Sequence, residues 1–372
     1  MLTSLHLTNF RSYSDQTFTF ERVTAIIGKN GVGKTNILEA IGFLALARSF
    51  RALQDKEAIA WESDVARLVG DIGETRIEVT LSQQLRGGKS VKINGVARRA
   101  IELLGNVRVV LFLPESIDLV AGSPQSRRHF LDLVLVQSDR RYAYHLIQLQ
   151  KILRQRNRLL RQIDEGQASR DQLDFWNDSF VEEAGYLIAS RVGFLQLINQ
   201  TITRHYEVMS GKKELLQLEY KAASISERSG LKGIYRHPSD CPTQATQWQE
   251  LLRGSIEQFQ DREISAGSSL YGPQRDDFTL VLNGRPLSTF GSRGEFRSAT
   301  LALKAAEADF LLAAKEPVPL IFLLDDAYSE LDLDRRGQLA TLIGNHQAVI
   351  TTTEVSYLDT KLRQEAKIEK LR

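Results

Sequence analysis

At about 150 residues per domain, a chain of 372 residues has room for two or three domains. Its 42% hydrophobic and 25% charged residues are those of a globular protein and exclude disorder over most of the length. A net charge of +2 cannot argue nucleic-acid binding by itself, so that function would need local clusters of cations. The single cysteine, Cys241, excludes an internal disulfide. No basic region followed by an apolar run opens the chain, and no stretch approaches the roughly 18 apolar residues of a membrane span. A soluble, cytoplasmic protein without membrane contact is expected.

In chain order, Leu5, Leu7, Phe18 and Phe20 alternate with polar neighbours, and residues 23–27 form a short apolar strand. The period changes over residues 35–47, where Ile37, Leu38, Ile41, Leu44 and Ala45 recur at helical spacing. Residues 65–72, 76–81 and 90–93 read as a meander punctuated by Gly73, Gly87-Gly88 and Asn94-Gly95. A further apolar strand at 107–113 is stopped by Pro114. Residues 127–206 contain no proline and read as long helices. Over 146–163 one face carries Leu146, Leu149, Ile152, Leu153, Leu159, Leu160 and Ile163; Arg156 falls with them, and Lys151, Arg154, Arg158 and Arg161 face the other way. A second helix is expected over 172–206, antiparallel to the first. Strand character returns at 215–220, followed by a loop over 224–246, a helix over 247–262 and a hairpin turning at Asn283-Gly284. A helix over 297–314, an apolar strand at 320–324 and a last buried strand at 348–350 complete the pattern.

Gly28-Lys29-Asn30-Gly31-Val32-Gly33-Lys34-Thr35 fits the phosphate-loop pattern G-x-x-x-x-G-K-[ST] between a strand and a helix. Its glycines let backbone N–H groups and the helix N-terminus face a polyphosphate. Lys34 is expected on the β- and γ-phosphates and Thr35 on Mg²⁺. Far downstream, the strand Leu320-Ile321-Phe322-Leu323-Leu324 ends in Asp325 and Asp326. Asp325 is the expected second hold on Mg²⁺, and Asp326 the candidate for polarising an attacking water. Ser292-Arg293-Gly294-Glu295 opens a helix with capping-box spacing, an ordinary helix start that can also present a hydroxyl and N–H groups to a phosphate. Phosphate loop, long insertion, Ser-x-Gly-Glu helix, acidic strand and then Ser329-Glu330-Leu331-Asp332 is the layout of ABC-type ATPase heads.

On these residues the chain resembles the RecF family over nearly its full length. The likeness includes Asn9-Phe10-Arg11 with Tyr13, the phosphate loop running on into Asn36-Ile37-Leu38-Glu39, and Arg48-Ser49-Phe50-Arg51. It continues through Gly122-Ser123-Pro124, Arg127-Arg128 and Phe130-Leu131-Asp132 to Gly272-Pro273-Gln274-Arg275-Asp276-Asp277 and the acidic strand. The resemblance implies an α/β ABC-type P-loop ATPase head with an antiparallel sheet subdomain and an inserted, mostly helical lobe. The head is expected in two parts, 1–121 and 270–372, around a lobe at 122–269. It also implies an ATP- and Mg²⁺-dependent DNA-binding protein of recombinational repair and replication. Such a protein forms a homodimer on ATP, acts with RecO and RecR to load RecA at gapped DNA, and is reset by slow hydrolysis. In that dimer Ser292 and Gly294 of one head meet the nucleotide on Lys34 and Thr35 of the other, and Arg11 joins the nucleotide contacts. Gln274 stands where the family usually has histidine, and Arg293 and Glu295 replace glutamines common in the signature. Thr351-Thr352-Thr353 follow the last strand where transporter heads carry histidine, and no Asn-Lys-x-Asp guanine motif exists, which disfavours a transport subunit and a GTPase.

For DNA the best local charge is Arg127 and Arg128 followed by the stripe Lys151, Arg154, Arg158 and Arg161. Acids at Asp171, Asp174, Asp178, Glu182 and Glu183 open the next helix, so antiparallel packing could turn them toward the stripe.

Overall fold

The structure, a computed structural model, describes every residue except 53, 86, 224–237, 242, 315–317 and 372. It divides into two compact units, Met1–Ser116 with Lys304–Arg372, and Ile117–Leu303.

The first unit holds two sheets. In one, β1 (Leu2–Phe10), β2 (Tyr13–Thr19), β4 (Val65–Ile72), β5 (Thr75–Ser82), β6 (Lys89–Ile93) and β7 (Val96–Arg98) pair antiparallel in the order β2-β1-β4-β5-β6-β7. In the other, β3 (Val23–Ile27), β8 (Arg108–Phe112), β12 (Leu320–Asp325), β13 (Gln347–Thr352) and β14 (Lys367–Lys370) run parallel in the order β14-β3-β13-β12-β8. Every residue of β3, β8, β12 and β13 is buried, as a parallel sheet covered on both faces requires. Helix α1 (Lys34–Leu46) touches strands of both sheets and buries eleven residues from Lys34 to Leu46. Gln347 ties the ends of the chain together, its amide bonding both the N–H and the carbonyl of Leu2. Helices α9 (Leu333–Ile343) and α10 (Thr360–Glu365) belong to the same unit.

The second unit is mostly helical: α2 (Asp118–Ala121), α3 (Pro124–Ser138), α4 (Arg140–Asp164), α5 (Leu173–Ser210), α6 (Ala245–Ala266), α7 (Leu287–Phe290) and the start of α8 (Arg293–Leu312). A small antiparallel sheet, β9 (Leu216–Lys221), β10 (Asp277–Leu282) and β11 (Arg285–Pro286), lies with them. Helices α4 and α5 are antiparallel, as expected: Asp139 pairs with Tyr186, His145 with Glu183 and Arg156 with Asn177. Helix α4 begins at Arg140, capped by Asp139, and α5 extends to Ser210, where Gly211 stops it in the left-handed region.

Three expectations change. Residues 270–303 group with the helical unit rather than with the head. The cause is β10, which pairs along its whole length with β9, from Asp277 opposite Lys221 to Leu282 opposite Leu216. Thr351 and Thr352 lie inside β13 rather than after it. A further strand, β14, follows the strand expected to be the last buried one; its alternating half-exposed side chains give it no apolar run. The loop expected over 224–246 falls partly outside the described residues; in its described part Pro238–Asp240 form a 3₁₀ turn and α6 begins at Ala245.

Candidate functional site

The phosphate loop sits between the buried end of β3 and the start of α1. Gly31 and Gly33 have φ of 85° and 102°, backbone that a side chain adopts only under strain. A Cβ on Gly33 would also stand 2.7 Å from Ser12 Oγ and 2.9 Å from the Tyr13 hydroxyl. That hydroxyl donates to the Gly33 carbonyl at 3.1 Å, and burial pushes its pKa up to about 12. The β1–β2 turn thus braces the loop from outside.

Lys34 is only 4% exposed. Its ammonium donates to the carbonyls of Gly28 at 2.8 Å and Lys29 at 3.2 Å and to Asn30 Oδ1 at 3.4 Å, and lies 3.9 Å from Asp326. Thr35 Oγ1 reaches Asp325 Oδ1 at 3.0 Å and Oδ2 at 2.8 Å, joining residues 290 positions apart in sequence. Asp326 has φ 47° and ψ 16°, left-handed for a residue with a side chain. Burial raises its pKa, Lys34 opposes that shift, and Asp325 adds to it. Asp326 Oδ1 is buried and has no hydrogen-bond partner among the described residues.

Asn30, Gly31, Gly33, Lys34, Thr35, Asp325 and Asp326 line one cleft of 400 Å³. Asn36, Arg51 and Glu115 line it too. Arg51 is steered by Asn36 Oδ1 at 3.3 Å and by Glu39 at 3.6 Å. In the sequence it belongs to the Arg48-Ser49-Phe50-Arg51 segment just beyond an apolar helix. Of the loop residues, Gly28 and Lys29 contribute their carbonyls to Lys34, while Val32 packs against Gly28 and is not among the cleft residues.

The donors suit Mg²⁺. Thr35 and Asp325 bring a hydroxyl and a carboxylate together, and Mg²⁺ in nucleotide sites takes one or two carboxylates plus substrate phosphates. Among the described residues no group of three or more His, Cys, Asp and Glu side chains converges as a self-sufficient metal cage. The orphaned Asp326 oxygen gives the site a second free acceptor.

Arg11 is placed differently from expectation. It makes a bidentate pair with the buried Glu39 at 2.7 and 2.9 Å, donates to the Glu57 carbonyl at 2.7 Å, and is not among the cleft residues. It props α1 rather than reaching into the cleft. Ser292 and Gly294 stand at the start of α8 in the second unit. Ser292 Oγ accepts from Glu295 N at 3.3 Å while Ser292 N donates to Glu295 Oε2 at 2.7 Å, a complete capping box that leaves Ser292 exposed.

The expected DNA cations divide into two groups. Arg127 is buried and bidentate on Asp277 at 2.7 and 2.8 Å, and Arg128 donates to the Asp276 carbonyl at 2.9 Å. Arg127 ties α3 to β10, and Arg128, half-buried, ties α3 to the residue just before that strand; their partners lie 150 and 148 positions away in sequence. Asp276 itself accepts from Tyr220 and Ala223 N, and burial pushes its carboxyl up to about 6. Arg191 completes the cluster, bonding Asp132 at 2.8 Å and the Pro273 carbonyl at 2.6 Å. The Gly-Pro-Gln-Arg-Asp-Asp segment is therefore a packing node of the helical unit. By contrast Lys151, Arg154, Arg158 and Arg161 are all exposed on α4. Two of the neighbouring acids turn elsewhere, Asp178 to Arg253 and Glu183 to His145, and among the described residues no ion pair holds a stripe cation. Arg156, on the opposite face, is fully buried against Glu263 at 2.6 Å and Ser269 at 2.6 Å.

A family model described as the RecF/RecN/SMC N terminal domain matches residues 1–368. The DNA replication and repair protein RecF of Halalkalibacterium halodurans is 38% identical over 370 residues, 98% of this chain and 95% of that protein. A solved structure of the recombination mediator protein RecF-ATPrS in the RecFOR pathway superposes with a TM-score of 0.85 at 28% identity, covering 96% of this chain and 94% of that one. An Smc head bound to the C-winged helix domain of ScpA shares the fold at a TM-score of 0.51 and 16% identity, over 99% of this chain and 93% of that one. Among the described residues no helix is long and apolar enough to cross a membrane.

Proposed function

The chain belongs to the RecF family, within the RecF/RecN/SMC N-terminal grouping, and from that premise we propose an ATP-dependent DNA-binding protein of cytoplasmic recombinational repair and replication. Two copies pair on ATP, engage gapped DNA with its single- and double-stranded parts, and work with RecO and RecR to load RecA. The observation that carries the nucleotide reading is the meeting of Thr35 with Asp325 across 290 positions, beside the buried Lys34. Loop N–H groups and the start of α1 would bind the polyphosphate, and Lys34 would leave the Gly28 and Lys29 carbonyls for its oxygens. Thr35 and Asp325 would hold Mg²⁺, which when bound neutralises charge on the β- and γ-phosphates. Arg51 adds a cation on the cleft wall. Ser292 and Gly294 of the second copy would close over the γ-phosphate, where a helix N-terminus favours negative charge.

Asp326 supplies the proton acceptor for an attacking water. Its raised pKa strengthens it as a base, but its side chain is one methylene shorter than glutamate, and acceptance depends on hydrogen-bond reach. Hydrolysis is therefore expected to be slow, a timer that releases an ATP-closed clamp. Steady-state phosphate release should give a kcat well under the enzyme median of about 10 s⁻¹; a value well above it would exclude the timer.

The test of the DNA reading is fluorescence anisotropy of a labelled gapped duplex in Mg²⁺-ATP and Mg²⁺-ADP at two salt concentrations. Binding should be at least about tenfold tighter with ATP and should weaken with salt through counterion release. Replacing Lys151, Arg154, Arg158 and Arg161 by alanine should lower the salt slope by roughly 0.9 for each DNA phosphate left without its cation. An unchanged slope would move the DNA surface off α4. No binding in either nucleotide would move DNA recognition to a partner protein.

A further inference from the structure

Thr351 stands directly opposite Asp325 in the parallel ladder of β12 and β13 and is fully buried. Its hydroxyl has one proton and two neighbours able to accept it, Asp325 Oδ1 at 2.6 Å and the Leu324 carbonyl at 3.4 Å. Distance assigns the proton to Asp325. The backbone N–H of Asp326 is shared between this same oxygen at 3.1 Å and the Thr351 carbonyl at 3.2 Å. One hydroxyl thus links the carboxylate of the first acid to the peptide of the second. That peptide leads into the left-handed backbone of Asp326, a conformation which persists only where its surroundings hold it.

We infer that Thr351 is a positioning residue which fixes both acids at once: it pins Asp325 by Oδ1, leaving Oδ2 on the side of Thr35, and it anchors the turn that aims Asp326 into the cleft. The inference rests on the reading of the cleft as a Mg²⁺–nucleotide site. Two hydroxyls hold the Asp325 carboxylate, Thr35 Oγ1 and Thr351 Oγ1. Thr35 must turn its oxygen toward the metal when the site is loaded. Thr351, sealed behind the strand end, has no such second task and would keep the carboxylate oriented throughout. Nothing in the residue order hints at this, since a run of three threonines at a strand end reads as ordinary β-propensity.

The experiment is a Mg²⁺ titration of the binding of a fluorescent ATP analogue by the full chain, with nucleotide affinity in EDTA as the metal-free reference. Partners that orient a metal ligand typically change metal affinity 10- to 100-fold when removed. Thr351→Val, which keeps the shape and loses the hydroxyl, should raise the Mg²⁺ midpoint about tenfold or more while leaving the EDTA affinity within about twofold. Thr351→Ser, which keeps the hydroxyl and loses the methyl, should stay within about threefold of the parent. A Thr351→Val midpoint equal to the parent's overturns the inference, as does an equal shift in both variants, which would mark a packing effect. Should the valine variant fail to fold, Thr351→Cys, a similar shape with a weak donor, takes its place and should shift the midpoint in the same direction. A parent chain that binds no nucleotide at any Mg²⁺ concentration would overturn the cleft reading itself, an outcome distinct from a parent that binds and a valine variant that titrates like it.

Discussion

Lys34→Met is expected to weaken ATP binding at least about 100-fold, roughly 3 kcal/mol, and to abolish ATP-dependent pairing of two copies along with it. The magnitude follows from burial. The ammonium is only 4% exposed and hydrogen-bonded to loop carbonyls, so it is already held where a polyphosphate would arrive. A charge in a partly desolvated cleft interacts with phosphate more strongly than one in bulk water. Methionine has nearly the same length, packs in the same space and carries no charge. The fold should therefore persist, and thermal melting of the variant should stay within a few degrees of the parent while titration of a fluorescent nucleotide shows the loss. Retained nucleotide affinity in a folded variant would mean that the loop N–H groups suffice and that Lys34 is held for structure.

Ser292→Arg should act on the other half of the proposed composite site. Ser292 is exposed, and its hydroxyl and N–H are engaged with Glu295, one turn along. Losing that cap costs about 1 kcal/mol at the start of a long helix, which the packing of α8 tolerates. An arginine there, however, puts a bulky side chain where the helix start would close on a partner's γ-phosphate. Sedimentation velocity in Mg²⁺-ATP should show dimerisation weakened at least about 100-fold, roughly 3 kcal/mol. Nucleotide binding by the dilute monomer should be unchanged. Equal loss of both properties would sink the assignment in trans.

The two acids at the end of β12 and the phosphate loop were legible because each is a local pattern with a fixed chemical purpose. The pairing of α4 and α5 was legible because their apolar faces repeat at helical period. Side-chain partnerships between distant positions leave no such local trace. Arg11 reads as a nucleotide contact until Glu39, the sixth residue of α1, is seen to hold it from the buried side. Arg127 and Arg128 read as surface cations because their acidic partners are far away in sequence, whereas Asp277 and the Asp276 carbonyl meet them through the fold. The stripe on α4 stays open to solvent, with Asp178 turned to Arg253 and Glu183 to His145. Residues 270–303 group with the helical unit for a related reason: pairing of β10 with β9 is a long-range choice that hydrophobic alternation in either strand does not reveal.

The order β14-β3-β13-β12-β8 has a consequence for the birth of the protein. Every neighbour of β3 and of β8 in that sheet comes from residue 320 onward. On the ribosome β8 must wait while roughly 200 further residues are made and β3 while roughly 320 are made, about 10 to 60 seconds at usual elongation rates, both apolar and with unpaired backbone. The intervening helical unit is continuous in sequence and can form during that wait. The nascent head is thus a chain holding two sticky strands in reserve, and its vulnerable interval is set by the length of the insertion rather than by the stability of the finished sheet.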